Sequence, residues 1–340
     1  MLDLKHLEVD KEQLQSIEEN RGYNKRIIDF YSQLQSDRVY ESDKIARKIE
    51  SICTCNQFFE IDFYKKQKIK DFKRTNLCKD KFCNNCKKVK QASRMAQFIP
   101  EIEKFKDYEM YHLVLTAPNV PADKLQNEIK KQLKAFPKLI RYLKSDAKIN
   151  GLNFEQHGYM GAFRSLEVTY KNDSYHPHLH VLLIFENLKQ SDKEIVNAYS
   201  YDHRKGEKKL VRKFSDFEIL IQKIWRLLLT GETVTKKNID NLEIGYSCMI
   251  DKFKENDYFE LFKYMTKNSS ETYMTYENFK TLYDALHNVR QIQGYGCLFR
   301  LKDNDIENLV DDLYDDIVKN LKKIEDEETI YETPLQLIND

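Results

Sequence analysis

The spacing of apolar positions changes several times along this 340-residue chain, and each change predicts an element. Residues 1 to about 50 have helical spacing: Ile27, Ile28, Phe30, Tyr31 and Leu34 form one stripe and Ile45, Ala46 and Ile49 another. The run 111–116 (Tyr-His-Leu-Val-Leu-Thr) reads as a strand stopped by Ala117-Pro118-Asn119. An amphipathic helix is predicted over roughly 122–145. The segment 163–170 alternates, Lys171-Asn172-Asp173-Ser174 turns, and an apolar run returns over 181–185 (Val-Leu-Leu-Ile-Phe), so a hairpin is expected. Helix resumes at about 215–230 and holds the single tryptophan, Trp225. A short strand is predicted at 242–249, with helices at about 257–268 and 275–288. A last stripe, Ile306, Leu309, Val310, Leu313, Ile317 and Leu321, runs through 304–323. No internal repeat is visible.

The returning strand of the hairpin carries the densest chemistry. Positions 176–180 read His-Pro-His-Leu-His, three of the eight histidines in five positions. In an extended chain alternate side chains share a face, so His178 and His180 project together, as two imidazoles gripping one metal ion would. The plainer reading is a set of hydrogen-bonded histidines at a strand entrance.

Composition narrows the rest. Nine glycines, with neither a G-x-x-x-x-G-K-[ST] nor a G-x-G-x-x-G segment, argue against ordinary NTPase and dinucleotide chemistry. The net charge of +1 hides a strong asymmetry. Between 61 and 94 there are twelve Lys/Arg against three Asp, and between 303 and 328 eleven Asp/Glu against three lysines. Aromatics interleave the basic stretch (Phe63, Tyr64, Phe72, Phe82), which suits nucleic acid, although a solvated charged face has the same composition. No apolar stretch approaches the length of a membrane span and the first residues are charged, so a soluble, cytoplasmic protein is expected.

In a reducing compartment clustered cysteines point to metal rather than disulfides. Five of the seven cysteines lie between 53 and 86. Cys78-x4-Cys83-x2-Cys86, with Cys53-Thr-Cys55 upstream, supplies enough thiolates for a closed four-coordinate zinc site. Cys248 and Cys297 stand alone on apolar segments and read as core.

The predicted helix at 257–268 places Glu260, Tyr264 and Lys267 on one face through i,i+4 and i,i+3 spacing. A phenol can attack phosphorus when a cation draws charge from the phosphate, and a nearby carboxylate can activate a later nucleophile. Tyr and Glu on a helix face are usually packing and solvation, so this pattern alone decides nothing.

Taken together, Leu113-Val-Leu-Thr116, His176-Pro-His-Leu-His180 and Glu260-Leu-Phe-Lys-Tyr264-Met-Thr-Lys267 resemble the three ordered motifs of a known family. The chain looks like the rolling-circle replication initiators of small bacterial plasmids, within the HUH endonuclease class. It is most similar to the single-tyrosine group with an assisting glutamate. Cys78-Lys-Asp-Lys-Phe-Cys83-Asn-Asn-Cys86 resembles that group's cysteine segment, although Asn84 stands where the family often has Pro, and Cys55 matches its first cysteine better than Cys53 does. Arg164-Ser-Leu-Glu-Val-Thr-Tyr170 and Asn288-Val-Arg-Gln-Ile-Gln-Gly-Tyr-Gly-Cys297 resemble further family blocks. The likeness covers roughly 50–300.

The resemblance implies an α+β fold: a central antiparallel sheet of about five strands flanked by helices, the histidine pair on a middle strand and the tyrosine on a facing helix. A cysteine-rich zinc-binding insertion (51–95) would separate a helical N-terminal extension (1–50) from the nicking domain (96–300), with an acidic amphipathic tail at 301–340. It further implies that Tyr264 attacks a phosphodiester in single-stranded or hairpin origin DNA, giving a 5′-phosphotyrosine and a free 3′-hydroxyl, with Glu260 as general base for the terminating cleavage. Lys267 reads as a phosphate or phenolate partner. Pairing the hairpin around a 171–176 turn sets Glu167 opposite His180, which nominates Glu167 as an oxygen ligand beside His178 and His180 for Mn²⁺ or Mg²⁺. His176 is either a fourth contact or the partner of a turn carbonyl. Zinc would be held by Cys55, Cys78, Cys83 and Cys86. Expected partners are plasmid origin DNA with flanking duplex, a host helicase and a second copy of the chain. Two other readings compete: a transposase or relaxase of a mobile element using the same chemistry, and a zinc-stabilised DNA-binding regulator without catalysis. Relaxases usually carry their tyrosine ahead of the histidines, whereas Tyr264 follows them.

Overall fold

The computed structural model describes residues 11–55, 59–64, 69–75, 78–84, 86–87, 98–171, 173–190, 193, 195–196, 213–254, 257, 261 and 274–300. They fall into two compact units, Met1–Ser93 with Ser270–Tyr276 and Ile306–Asp340, and Arg94–Ser269 with Glu277–Asp305.

The first unit opens with α1 (Lys11–Asp37) and α2 (Ser42–Cys53), followed by an antiparallel hairpin of β1 (Phe59–Tyr64) and β2 (Ile69–Thr75). Tyr23, Ile27, Tyr31 and Leu34 are buried along α1, spaced by three and four, and α1 packs on α2, where Ile45 and Ile52 are buried. The expected second stripe shifts: Ile45 is buried but Ala46 is exposed, and Ile52 completes the face instead. Asp80 ties both helices to the cysteine segment, accepting from Tyr31 Oη and Lys48 Nζ at 2.9 Å each and from the Phe82 backbone N–H at 2.8 Å.

The second unit is built on β3 (Glu109–Leu115), α3 (Ala122–Leu143), β4 (Tyr159–Lys171) and β5 (Ser174–Phe185). After a two-residue pair, β6 (Ile195–Val196) with β7 (Lys213–Phe214), come α4 (Asp216–Thr230), α5 (Lys236–Asn241), β8 (Cys248–Lys252), α6 (Tyr276–Ala285) and β9 (Ile292–Gly296). The main sheet has five strands in the order β8-β3-β5-β4-β9, every pair antiparallel. The expected α+β fold with a five-stranded antiparallel sheet flanked by helices is therefore present, and the histidine strand β5 is its middle strand.

The sheet's two faces differ in kind. Odd positions of β5 (Leu179, Val181, Leu183, Phe185) lie opposite Leu113, Tyr111, Leu166 and Ala162 on neighbouring strands. Helices cover this face: Phe136 of α3 packs edge-on against Tyr295, and Phe217 of α4 against Phe185. Even positions carry His178 and His180, with Glu167, Ser165 and His112 on flanking strands. Ser215 caps α4 in a reciprocal box with Glu218.

Two expectations need correction. The strand predicted at 242–249 begins only at Cys248, because Gly245 lies against the α4 backbone, where an added Cβ would sit 2.1 Å from the Gln222 carbonyl carbon. Tyr246 N–H donates to Gln222 O at 3.0 Å, so this stretch serves α4 before it can join the sheet. The hairpin turn is also tighter than expected: Lys171 pairs with Ser174, and Asp173 takes the left-handed conformation at φ 54°. Glu167 is consequently opposite His178, and Ser165 is opposite His180. The register moves by two residues, which preserves the face.

Candidate metal centre

Three side chains converge on the even face of the hairpin. His178 Nε2 lies 3.1 Å and His180 Nε2 2.9 Å from the same oxygen, Glu167 Oε2. All three residues are buried, between 4% and 8% exposed. Their ligand atoms fall within 4.8 Å of one another, so the triad could hold a metal ion.

His178 Nδ1 is 3.1 Å from the backbone oxygen of His176, and a carbonyl only accepts, so Nδ1 carries the proton. In the neutral ring Nε2 then presents a lone pair to a carboxylate oxygen. Burial alone would raise the Glu167 carboxyl; when Nε2 of His178 and His180 is also protonated, donation from the two rings outweighs burial and holds the group well below the usual carboxylate range. Two lone-pair donors meeting in a buried site need a proton or a cation between them. Glu167 Oε1 is also buried without a hydrogen-bond partner, a further unsatisfied acceptor. Two imidazoles and a carboxylate suit a divalent ion taking mixed N/O ligands, so the residues fit the Mn²⁺ or Mg²⁺ expected there.

His176 stays in the strand, opposite Thr169, with its ring stacked on His178 at 5.1 Å and 29°. Its Nδ1 is buried without a partner, and burial, the largest cause, pushes its pKa down to about 4. It lies outside the convergent triad. Pro177 is accommodated between the bridge at Tyr175 and the end of the β3 ladder at Leu179, and its carbonyl accepts from Gln132 Nε2 of α3 at 2.9 Å.

The histidine array extends further than the motif. His112 on β3 stacks on His180 at 5.3 Å and 26°, with its Nε2 3.1 Å from His180 Nδ1. His112 Nδ1 in turn lies 3.2 Å from Asp257 Oδ1. Neither residue was singled out from the sequence. A histidine at an alternating position of an otherwise apolar strand was the available signal for His112; Asp257 had none. Glu260, Tyr264 and Lys267 lie outside the described residues, as does the acidic stripe at 304–323.

The first unit holds the second candidate centre. Cys55, Cys78, Cys83 and Cys86 bring their sulfurs together at 3.6 Å (55–83), 3.6 Å (55–86) and 3.5 Å (78–86). A tetrahedron with zinc–sulfur bonds of about 2.3 Å has edges of about 3.8 Å, whereas a disulfide needs about 2 Å. The four thiols therefore have the spacing of metal ligands. Of the two upstream cysteines Cys55 joins the group, while Cys53 is exposed. Backbone N–H groups of Cys78 and Asp80 point at the Cys55 and Cys78 sulfurs, and Asn24 Nδ2 donates to Cys83 Sγ at 3.3 Å. Lys87 is buried beside them, its pKa drawn down to about 8 by burial, and it donates to Tyr23 Oη at 3.3 Å.

Residues 69–196 match the family described as Replication protein. Among curated proteins, Protein rep of Staphylococcus aureus is 37% identical over 147 residues, which cover 41% of this chain and 58% of that protein. Protein rep of a Bacillus species is 27% identical over 145 residues, 41% of this chain and 43% of that protein. For Protein rep of Bacillus amyloliquefaciens the figures are 31% over 113 residues, 32% and 30%. The matched part of the chain thus spans 30% to 58% of the length of these relatives. No solved structure gives a match. The likeness read from the motifs is borne out at the level of the replication-protein family, over a segment that holds Cys78, Cys83, Cys86, Glu167 and both central histidines.

Proposed function

We propose that this chain is a plasmid replication initiator that nicks and rejoins one DNA strand at its origin through a tyrosine-linked intermediate. The observation that carries the reading is the buried convergence of His178, His180 and Glu167 on the middle strand of the sheet, inside the segment matched by the replication-protein family. A divalent ion held by these three groups would withdraw charge from a scissile phosphate. Tyr264 Oη attacks phosphorus, a tyrosine O–P bond forms, and the P–O3′ bond breaks to leave a 3′-hydroxyl and a 5′-phosphotyrosine. Lys267 stabilises the phenolate. Glu260 later takes the proton of the water that cleaves the terminating strand, so one tyrosine suffices. The Cys55, Cys78, Cys83 and Cys86 centre holds zinc and fixes the fold of the basic segment. Origin DNA, as a single-stranded or hairpin nick site with flanking duplex, is the substrate. A host helicase, a second copy of the chain and a cytoplasmic setting complete the proposal. No described helix is long and apolar enough to cross a membrane.

Tyr264→Phe tests the reading on a supercoiled origin plasmid with Mn²⁺. Nicking is expected to disappear while an origin oligonucleotide is still shifted in a native gel. Normal nicking by this variant removes Tyr264 as nucleophile. A wild-type protein that shifts the oligonucleotide but never nicks is a non-catalytic regulator instead.

A further inference from the structure

We infer that His112 and Asp257 form a positioning pair that fixes which nitrogen of His180 is free to hold the metal ion; the inference rests on the metal-centre reading above. Asp257 Oδ2 accepts the Lys254 N–H at 2.7 Å, so the carboxylate's orientation is set. Its Oδ1 lies 3.2 Å from His112 Nδ1, and a carboxylate only accepts, which places a proton on that nitrogen. Neutral His112 then offers a lone pair at Nε2, 3.1 Å from His180 Nδ1, and His180 must donate. His180 Nε2 is left with its lone pair, aimed at the site shared with Glu167 Oε2 2.9 Å away.

The same tautomer of His178 is enforced by the His176 carbonyl, which no substitution can remove. His180 lacks that device and depends on two side chains instead, one on β3 and one preceding Glu260 by three positions. Ring partners behind metal ligands commonly set tautomer and orientation. The side chains of His112 and Asp257 are 11% and 22% exposed, so water competes poorly for these bonds.

Substitution of Asp257 gives an ordering that loss of packing would not. In Asp257→Asn the amide oxygen must still accept the Lys254 N–H, so the NH₂ group faces His112 Nδ1. That nitrogen becomes an acceptor, the His112 proton moves to Nε2, and His180 receives at Nδ1 and carries its own proton on Nε2. The ligand lone pair is then blocked, the wrong-tautomer effect of an Asn behind a histidine. Asp257→Ala removes the acceptor without supplying a donor, so it does not force the wrong tautomer. Asn, the closer isostere, is therefore the more damaging change.

The experiment titrates metal-free full-length chain with Mn²⁺ and follows the electron paramagnetic resonance signal of the free ion. Asp257→Asn is expected to weaken binding by about tenfold to a hundredfold, and Asp257→Ala by less. Long-range ¹⁵N–¹H spectra of the metal-free protein should show the His180 proton moving from Nδ1 to Nε2 in Asp257→Asn only. Binding within about twofold of wild type, or an unmoved proton, overturns the relay. His178→Ala separates the two levels: if it also binds Mn²⁺ normally, the metal centre itself fails and the relay with it. If it loses Mn²⁺ while Asp257→Asn does not, the relay alone is wrong.

Discussion

Glu167→Gln should have opposite effects with and without metal. When both rings are neutral in the metal-free protein, at about pH 7.5, the Glu167 carboxylate meets the Nε2 lone pairs of His178 and His180, at 3.1 Å and 2.9 Å. The glutamine amide can donate to one of them, a gain of about 1 kcal/mol, and removes a buried charge. For a unit of this size about 1 kcal/mol moves the midpoint by roughly 2–4 °C, so metal-free Glu167→Gln should melt at or slightly above wild type. Mn²⁺ at about 100 times its Kd should stabilise wild type by about 2.7 kcal/mol, or roughly 5–10 °C. A hundredfold weaker site at the same Mn²⁺ concentration retains only about 0.4 kcal/mol, roughly 1–2 °C. Scanning calorimetry of chelator-treated protein, with and without Mn²⁺, measures both numbers. An undiminished Mn²⁺ shift in the variant would refute the ligand assignment. A loss of about 3–5 kcal/mol in the metal-free variant would refute the lone-pair argument, because it would mean that two charged imidazoliums pin the carboxylate as an ion pair.

Two further outcomes concern the cysteine centre and acid. Cys83→Ser should purify without the one zinc ion per chain expected from the four-thiol group, whereas Cys53→Ser should retain it; elemental analysis decides, and zinc loss in Cys53→Ser would contradict the ligand set. The folded state holds His176 at about 4 against an ordinary 6.5, so the stability this histidine contributes is whole above about 6.5 and is lost as pH falls toward 4. Denaturant titrations of metal-free protein at about pH 7 and pH 5 should show that loss, and His176→Phe should make it shallower; an unchanged slope counts against burial as the cause.

The β4–β5 hairpin was legible because both strands alternate or run apolar and a turn sequence divides them. The face of the triad was legible for a deeper reason: side-chain direction repeats every two residues, so the two-residue error in register left Glu167 beside His178 and His180. The register itself depended on the tight turn through Asp173, which the composition of 171–176 does not specify. β9 was missed because five residues containing two glycines carry no strand signal. Gly296 answers to packing, since a Cβ there would lie 2.2 Å from Met160 O. β8 was displaced by the demand of α4 on Gly245, a tertiary effect. His112 and Asp257 lie 145 positions apart and meet only after the sheet forms. No spacing rule could join them.

The hairpin also sets how early the three ligands of the histidine centre can come together. Glu167, His178 and His180 are separated by 11 and 13 positions, with a tight turn between them. Chain entropy charges little for so short a closure, and local pairings form early. The grip on a cation is thus available to the chain before β3 and β8 have found their places. The His112 contact spans 68 positions and matures later. A metal ion present during synthesis would therefore meet its ligands first in a single β-ribbon and could serve as a nucleus around which the rest of the sheet assembles.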